Sequence, residues 1–188
     1  MIDLSDSDLV LAARGGDFSA SDEIVHRHHE KIYAFLHKLT GRREDAEDLS
    51  QETFLLALRK LHTFKEGCRL PPWLFTIARR QAIAQWRKVK PTCELFDADH
   101  PTESGRQPHD AVALWKIAKE KLKRDEFIAL WLFYQEGFSI KELAKTLRKT
   151  TPHIKVILHR ARKRLGEHLN NTPDLWLPGQ TLYPSTTL

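Results

Sequence analysis

The 188-residue sequence has few of the features that would indicate a membrane, secreted or metal-binding protein. Its two cysteines, Cys68 and Cys93, form no metal-spaced pair and are most simply the reduced thiols of a cytoplasmic protein. No window approaches the roughly 18 uninterrupted apolar residues that a membrane span requires. The acidic N-terminus MIDLSDSDLV lacks a signal-peptide core. We therefore expect a cytoplasmic protein without membrane insertion.

Glycine and proline are also scarce inside long stretches of the chain, and no segment shows the alternating pattern of a convincing strand. Apolar residues instead recur with a period of about 3.6 residues, which indicates amphipathic helices. The sequence therefore predicts an all-α protein. Before residue 90 we expect helices near Asp6–Arg14, from about Ser21 to Gly41, over about Glu44–Leu61, and over Trp73–Lys88 after two prolines.

The composition changes at residues 91–110, which contain three prolines, one glycine and five carboxylates against one arginine. Such a composition is typical of a flexible acidic linker. We expect this linker to join a helical domain at residues 1–90 to a second helical domain at residues 111–169. Residues 170–188 add a C-terminal extension that is too apolar for an inert tail.

Patterns that would indicate catalysis are absent. No Ser-His-Asp order, glycine-rich phosphate loop or pair of catalytic acids stands out. His26, His28 and His29 are close in sequence, but neighbouring helical positions point apart. We therefore expect no enzyme activity, no cofactor and no metal site.

The most informative segment is Ser139–Arg164, which predicts two short helices joined by a tight turn. The first helix carries an apolar stripe with one small residue, Ala144, which lets another helix cross closely. Thr150 or Thr151 can cap the second helix, and Pro152 fits its first turn. This is the helix-turn-helix pattern, whose second helix fits the major groove of DNA.

Positive charge is concentrated in the same part of the chain. Residues 139–168 contain nine Lys/Arg and two Glu, a net charge of +7, whereas the whole chain carries +5. We expect Ile154, Ile157 and Leu158 to face inward, which leaves the cations for solvent or phosphate. A solvated amphipathic helix is the alternative, but the cap, the turn and the sign of the charge together favour DNA binding.

A cluster of carboxylates marks the predicted helix Glu44–Leu61. Asp45, Asp48 and Glu52 are spaced so that they share one helix face. They could stabilise the helix N-terminus, hold a metal ion without help from a histidine, or dock a basic partner helix. Composition alone does not choose among these roles.

The next segment, Trp73–Lys90, has five Lys/Arg and no acid. Its cations are interleaved with aromatic residues, a pattern of single-strand nucleic-acid binding in which cations bind phosphates and rings stack on bases. The alternative is that its apolar residues, Trp73 among them, belong to the core. The neighbouring DNA-binding pattern weakens that alternative for the cations.

Two motifs in a fixed order resemble one protein family. The first is DAEDLSQETFLLALRKL followed by WLFTIARRQAIAQWRK, and the second is EGFSIKELAKTL followed by HIKVILHRARKRL. Together they resemble bacterial sigma factors of the extracytoplasmic-function group of the sigma-70 family, over about Leu9 to Leu169. The resemblance implies a subunit that joins core RNA polymerase and directs it to promoter DNA. It also implies an anti-sigma factor as a partner.

The resemblance implies three groups of site residues. One would dock the clamp helices of the polymerase: Asp45, Asp48, Gln51, Glu52 and Phe54. A second, with the loop His62–Pro72, would recognise and open the minus-ten promoter element: Trp73, Arg79, Arg80, Gln85, Trp86, Arg87 and Lys88. A third would face the minus-thirty-five element or its phosphates: Thr151, His153, Lys155, Val156, His159, Arg160, Arg162, Lys163 and Arg164.

The sequence departs from the family's pattern at two turns. Arg148-Lys149 stand where the family usually has a glycine followed by an aliphatic residue. Either an arginine adopts positive φ there at a cost of about 1 kcal/mol, or the turn differs in shape. Pro71-Pro72 next to Trp73 are expected to change the shape of the preceding loop. Two other interpretations remain open. One is a stand-alone helix-turn-helix regulator, and the other is a helical interaction protein that has lost DNA binding.

Overall fold

The computed structural model describes residues 4–88 and 109–169, and it contains no strand within these ranges. The first range contains α1 (Asp6–Arg14), α2 (Phe18–Thr40), α3 (Arg43–Arg59), a 3-10 turn (Leu61–Thr63) and α4 (Leu70–Lys88). The second contains α5 (His109–Lys121), α6 (Arg124–Tyr134), α7 (Ile140–Leu147) and α8 (Thr151–Leu169). The predicted all-α class is confirmed.

The chain divides into two compact units, Met1–Pro101 and Thr102–Leu188. The division falls inside the predicted linker 91–110. Most of that linker and the C-terminal extension 170–188 lie outside the described residues. The helix α5 begins at His109, two positions before the predicted start of the second domain.

The helix α2 begins at Phe18 rather than near Ser21, because Asp17 caps it. The Asp17 carboxylate accepts hydrogen bonds from the backbone N–H groups of Ser19 at 2.9 Å and Ala20 at 3.3 Å. Phe18 is 84% exposed, so the hydrophobic period does not reveal this first turn.

The ends of α3 and α4 also differ from the prediction. The helix α3 ends at Arg59, and Leu61 belongs to the following 3-10 turn. The helix α4 begins at Leu70, so Pro71 and Pro72 lie in its first turn instead of before it. Proline fits there because the N–H groups of a first turn have no acceptor within the helix.

The core of the first unit is built around α2, which packs against α1, α3 and α4. Phe35 of α2 is fully buried and meets Phe75 of α4 edge to face, with ring centroids 5.1 Å apart. Each such ring contributes roughly 2 kcal/mol to the free energy of unfolding, because it removes apolar surface from water. This core holds α3 and α4 side by side, with their polar sides accessible to partners.

The helix α1 is fixed at its first turn. Ser5 and Asp8 form a reciprocal capping box there. His28 Nε2 lies 3.1 Å from a carboxylate oxygen of Asp6, and Arg27 donates to the backbone carbonyl of Leu4 at 2.6 Å. The start of α1 is therefore attached to α2 by polar contacts as well as by packing.

The core of the second unit is centred on α6, where a continuous run from Glu126 to Leu132 is buried. Trp131 packs against Trp115 of α5, with ring centroids 4.8 Å apart. A capping box between Ser139 and Glu142 begins α7. These contacts support α7 and α8, which form the predicted helix-turn-helix.

Candidate protein and nucleic-acid interfaces

The acidic side of α3 is accessible to solvent. Asp48, Gln51 and Glu52 are exposed, and the side chain of Asp45 is 33% exposed. Within a helix the spacing of the three carboxylates places them along one side, as the sequence predicts. The helix therefore presents a row of negative charge.

Arginines at the start of α3 neutralise only part of that charge. Arg42 lies 4.0 Å from a carboxylate oxygen of Asp45. Arg43 donates to Glu47 at 2.8 Å, and this hydrogen bond raises the pKa of the Arg43 guanidinium. Asp48 forms no hydrogen bond or ion pair within the described residues. Its charge remains available for a cationic partner.

Sequence reasoning missed one apolar residue on this side of the helix. Leu55 is 59% exposed and follows Glu52 by three positions, so it extends the row that contains Asp48. The helical period could have identified it, because Leu55 falls outside the buried stripe of α3, which passes through Ala46, Leu49 and Phe54. An exposed leucine beside carboxylates suits a protein interface.

Phe54 corrects one of the predicted surface contacts. It is 5% exposed and stacks on His29 of α2, with ring centroids 6.1 Å apart. Phe54 lies on the buried stripe of α3 rather than on its acidic side. It therefore supports the helix from within and does not belong to the accessible face.

The second predicted group lies on α4. Trp73, Arg79 and Gln85 are half-buried, as is Trp86, whereas Arg80 is exposed. Arg87 and Lys88 belong to the last turn of α4, but their side chains lie outside the described part of the structure. Leu74, Phe75 and Ala78 fill the core beneath. One side of α4 is thus buried and apolar, and the other is basic and aromatic. The half-buried Trp73 lies at the boundary between the two sides.

Polar contacts link α3 to α4. Gln81 donates to Glu52 at 3.2 Å, and Gln85 donates to Asp45 at 3.3 Å. The helices run antiparallel here, because the later α4 residue meets the earlier α3 residue. The predicted protein-docking side and the predicted strand-binding helix are therefore neighbours within one unit.

The loop before α4 is anchored at both ends and exposed between them. Phe64 and Leu70 are buried, whereas residues 65–69 are exposed. Phe64 also meets Trp73 edge to face, with ring centroids 5.6 Å apart. Gly67 adopts φ 75°, a backbone conformation that glycine accepts without a Cβ clash. The loop is therefore presented to solvent beside Trp73.

The third predicted group lies on α8, the second helix of the helix-turn-helix. Ile154, Ile157 and Leu158 are buried, as predicted. The exposed members of the group are Thr151, His153, Lys155, Val156, His159, Arg160 and Lys163, and Arg162 is half-buried. Arg162 donates to the hydroxyl of Tyr134 at 3.3 Å. Most of the predicted DNA-facing residues thus share one accessible side of α8.

Arg164 is placed differently from the prediction. Its guanidinium donates to a carboxylate oxygen of Glu126 at 2.6 Å, and the Glu126 side chain is only 7% exposed. A buried carboxylate left without its cation is costly, so this pair fixes α8 against α6. Arg164 is engaged inside the unit instead of being available to phosphates.

The turn between α7 and α8 has the strained conformation that the sequence raises as one possibility. Arg148 adopts φ 53° and is the one non-glycine residue with positive φ among the described residues. The N–H of the following Lys149 donates to the carbonyl of Ala144 at 3.0 Å. Thr150 then accepts from the N–H of His153 at 3.4 Å and caps α8. The turn keeps its hydrogen bonds despite the missing glycine.

We expect Arg148→Gly to stabilise the protein. Glycine removes the Cβ strain at this left-handed position, so the free energy of unfolding should rise by about 0.5–1 kcal/mol after the entropy of the unfolded chain is included. Thermal denaturation measures the change. Lys149→Gly is the matched control, and it should destabilise because Lys149 needs no positive φ. Equal shifts for the two variants would contradict the strain at Arg148.

Two features are absent from residues 4–88 and 109–169. No group of three His, Cys, Asp or Glu side chains in these ranges could hold a metal ion. No helix within them is both long and apolar enough to cross a membrane.

Both units match known families. Residues 24–92 match the family described as Sigma-70 region 2, and residues 118–165 match Sigma-70, region 4. The chain is 35% identical over 139 residues to the ECF RNA polymerase sigma factor EcfG of Rhodopseudomonas palustris, covering 72% of this chain and 77% of that protein. It is 30% identical over 168 residues to the ECF RNA polymerase sigma factor SigM of Mycobacterium tuberculosis, covering 88% and 85%.

Solved structures show the same relationship. The sigma factor RpoE of Bartonella quintana, crystallised with the anti-sigma factor NepR, matches with a TM-score of 0.68 and 29% identity, over 80% of this chain and 97% of that chain. Two units with these matches in this order, and relatives that cover most of the length, determine the family. The chain belongs to the extracytoplasmic-function sigma factors of the sigma-70 family and directs transcription initiation by RNA polymerase at promoters.

Proposed function

We propose that the acidic side of α3 docks this sigma factor onto core RNA polymerase. Asp48 carries the proposal, because it is exposed and has no partner within the described residues. Asp45, Gln51 and Glu52 extend the same surface, and the exposed Leu55 adds apolar area. Complementary charge would steer and orient the encounter, while Leu55 would lose water on binding.

The helix α4 and the loop before it are proposed to open the minus-ten element. Strand separation requires an unstacked base to be held, at a cost of a few kcal/mol. Trp73 is half-buried and supported by Phe64, so it offers a ring whose position is already fixed. Arg79 and Arg80 with Gln85, Trp86, Arg87 and Lys88 would bind the displaced strand and its phosphates.

The helix α8 is proposed to read the minus-thirty-five element in the major groove. Its accessible side combines hydrogen-bonding, apolar and cationic residues, which are suited to base edges, thymine methyl groups and phosphates respectively. Lys155, Val156, His159 and Arg160 would contact bases. Lys163 and Arg162 would position the helix on the backbone, with Thr151 and His153 at its N-terminal end.

The remaining proposals concern the setting in which the protein acts. We infer a cytoplasmic protein that performs no chemistry itself, because sigma factors serve the polymerase that carries out the reaction. An anti-sigma factor is a proposed partner, and the Bartonella sigma factor that was crystallised with NepR supports it. Two DNA-binding units on one chain gain affinity only where the spacing of the two promoter elements suits the linker.

The division of roles on α8 can be tested by two substitutions. We expect His159→Ala to alter sequence preference at one position by about 1–3 kcal/mol, because a base contact is lost. Lys163→Ala should weaken binding to every sequence, because one phosphate contact is lost. The salt slope, which is the slope of log K against log salt concentration, should fall in magnitude by about 1. Holoenzyme binding to a panel of single-base promoter variants, at several salt concentrations, measures both quantities.

The exposed Lys116 of α5 provides a matched control for the loss of charge. Lys116→Ala should leave the salt slope unchanged, since α5 is not proposed to touch DNA. If His159→Ala and Lys163→Ala reduced binding to all sequences alike, the assignment of base reading to His159 would be wrong.

A further inference from the structure

Arg14, at the end of α1, holds the segment that leads into the proposed promoter-opening loop. Its Nε donates to the carbonyl of Leu61 at 3.0 Å, and its Nη2 donates to the carbonyl of Phe64. Its Nη1 lies 3.8 Å from a carboxylate oxygen of Glu66, and the side chain is 23% exposed. One guanidinium therefore binds two backbone carbonyls of the segment and lies within ion-pair distance of a third residue, the exposed Glu66.

The geometry suits arginine better than lysine. Guanidinium presents several N–H donors in a rigid planar fork, whereas lysine has one flexible ammonium group. In Arg14 two different nitrogens bind the carbonyls of Leu61 and Phe64 while the third faces Glu66, and the single nitrogen of a lysine does not reproduce this spread of donors.

Phe64 connects this anchor to the proposed DNA contact. Its backbone carbonyl is bound by Arg14, its ring is 5% exposed, and that ring packs edge to face against Trp73. A shift of the Phe64 backbone would move the ring and the tryptophan that rests on it. Arg14 therefore acts on Trp73 through one intermediate residue.

The helix α1 is a firm support for such an anchor. Its first turn is attached to α2 through Asp6 and His28 and through Arg27 and Leu4. The same turn borders a groove of about 450 Å³ whose opposite side is formed by Gly67–Pro71. The start of α1 thus lies beside the loop at residues 67–71. Arg14, at the end of α1, binds the preceding segment Leu61–Phe64.

We propose that Arg14 is a positioning residue for promoter opening, which holds Phe64 so that Trp73 is preset to trap an unstacked base. This inference rests on the proposed role of Trp73. It extends that role to α1, which lies outside the region 2 match because the match begins at residue 24. Presetting matters because a fixed ring loses less conformational freedom when it captures a base.

The test compares Arg14→Lys with Arg59→Lys in the full chain bound to core polymerase. The DNA is a duplex that the wild-type holoenzyme selects from a random-sequence library, and permanganate reactivity of unpaired thymines measures opening. We expect Arg14→Lys to keep polymerase binding and to open this duplex about tenfold less, because hydrogen bonds from a charged donor are lost. Arg59→Lys makes the same exchange at an exposed residue of α3 that binds neither carbonyl, and it should open the duplex as the wild type does.

A double-variant comparison separates positioning from general support. If Arg14 acts through Trp73, adding Arg14→Lys to Trp73→Ala should reduce opening no further than Trp73→Ala alone. If the two substitutions instead reduced promoter opening by independent factors that multiply in the double variant, the proposal would be overturned. Loss of polymerase binding by Arg14→Lys would overturn it as well, because Arg14 would then support the whole unit.

The same experiments distinguish this inference from the function on which it rests. Normal opening by Arg14→Lys beside defective opening by Trp73→Ala would overturn the role of Arg14 alone. Normal opening by Trp73→Ala would instead overturn the proposed role of Trp73, and the role of Arg14 with it.

Discussion

Replacement of Asp48 by arginine is expected to abolish binding to core RNA polymerase. The carboxylate is exposed and has no partner within the described residues, so it is available to a basic surface. The substitution places a cation there, and like charges brought together in an interface cost several kcal/mol. We expect affinity to fall by at least about 100-fold, measured by co-elution in size-exclusion chromatography and by titration.

The fold should survive this change, because surface substitutions without partners usually alter stability by less than about 0.5 kcal/mol. Glu44→Arg is the matched control. Glu44 lies on the same helix, changes charge equally, and its side chain is 87% exposed. If Asp48→Arg still co-eluted with polymerase, or if Glu44→Arg lost binding as completely, the proposed docking side of α3 would be wrong.

Replacement of Trp73 by alanine is the second large effect that we expect. A stacked base is worth about 1–3 kcal/mol to the protein that holds it, so loss of the ring should reduce promoter opening by roughly 30-fold. Polymerase binding should remain, because Trp73 lies on α4 and the docking carboxylates lie on α3. Permanganate reactivity reports opening, and size-exclusion chromatography reports polymerase binding.

A conservative variant tests whether stacking is the cause. Trp73→Phe keeps an aromatic face and the edge contact to Phe64, so it should restore most of the opening. Thermal denaturation of both variants shows whether lost packing against Phe64 accounts for the effect instead. Equal defects in Trp73→Phe and Trp73→Ala, or no defect in either, would exclude Trp73 as a stacking residue.

Local patterns in the sequence predicted much of this structure. Asp45, Asp48 and Glu52 lie on one side of α3 because their spacing matches the helical period. The buried stripe of α8 through Ile154 follows from the same period. Arg148 stood where a glycine is usual, and its positive φ was one of two possibilities that the sequence left open. In each case the determining interaction lies within a few positions along the chain.

Tertiary contacts account for what the sequence did not predict. Phe54 was assigned to polymerase docking by resemblance, but it is buried and stacks on His29. Arg164 was assigned to phosphates, but it pairs with the buried Glu126. Arg14 carries no local signal at all, because its carbonyl partners are 47 and 50 positions away. A helical period shows which side of a helix is apolar, but it does not show which cation meets a buried carboxylate.

The central claim is that this chain gives core polymerase its choice of promoters. The most direct measurement is transcription by purified core polymerase on fragmented genomic DNA of the source bacterium, with sequencing of the RNA 5′ ends. We predict a small set of discrete start sites that appear with the wild-type chain and are absent without it or with Asp48→Arg. DNA binding by the chain alone, with no new start sites in the presence of polymerase, would contradict the account and indicate a stand-alone regulator.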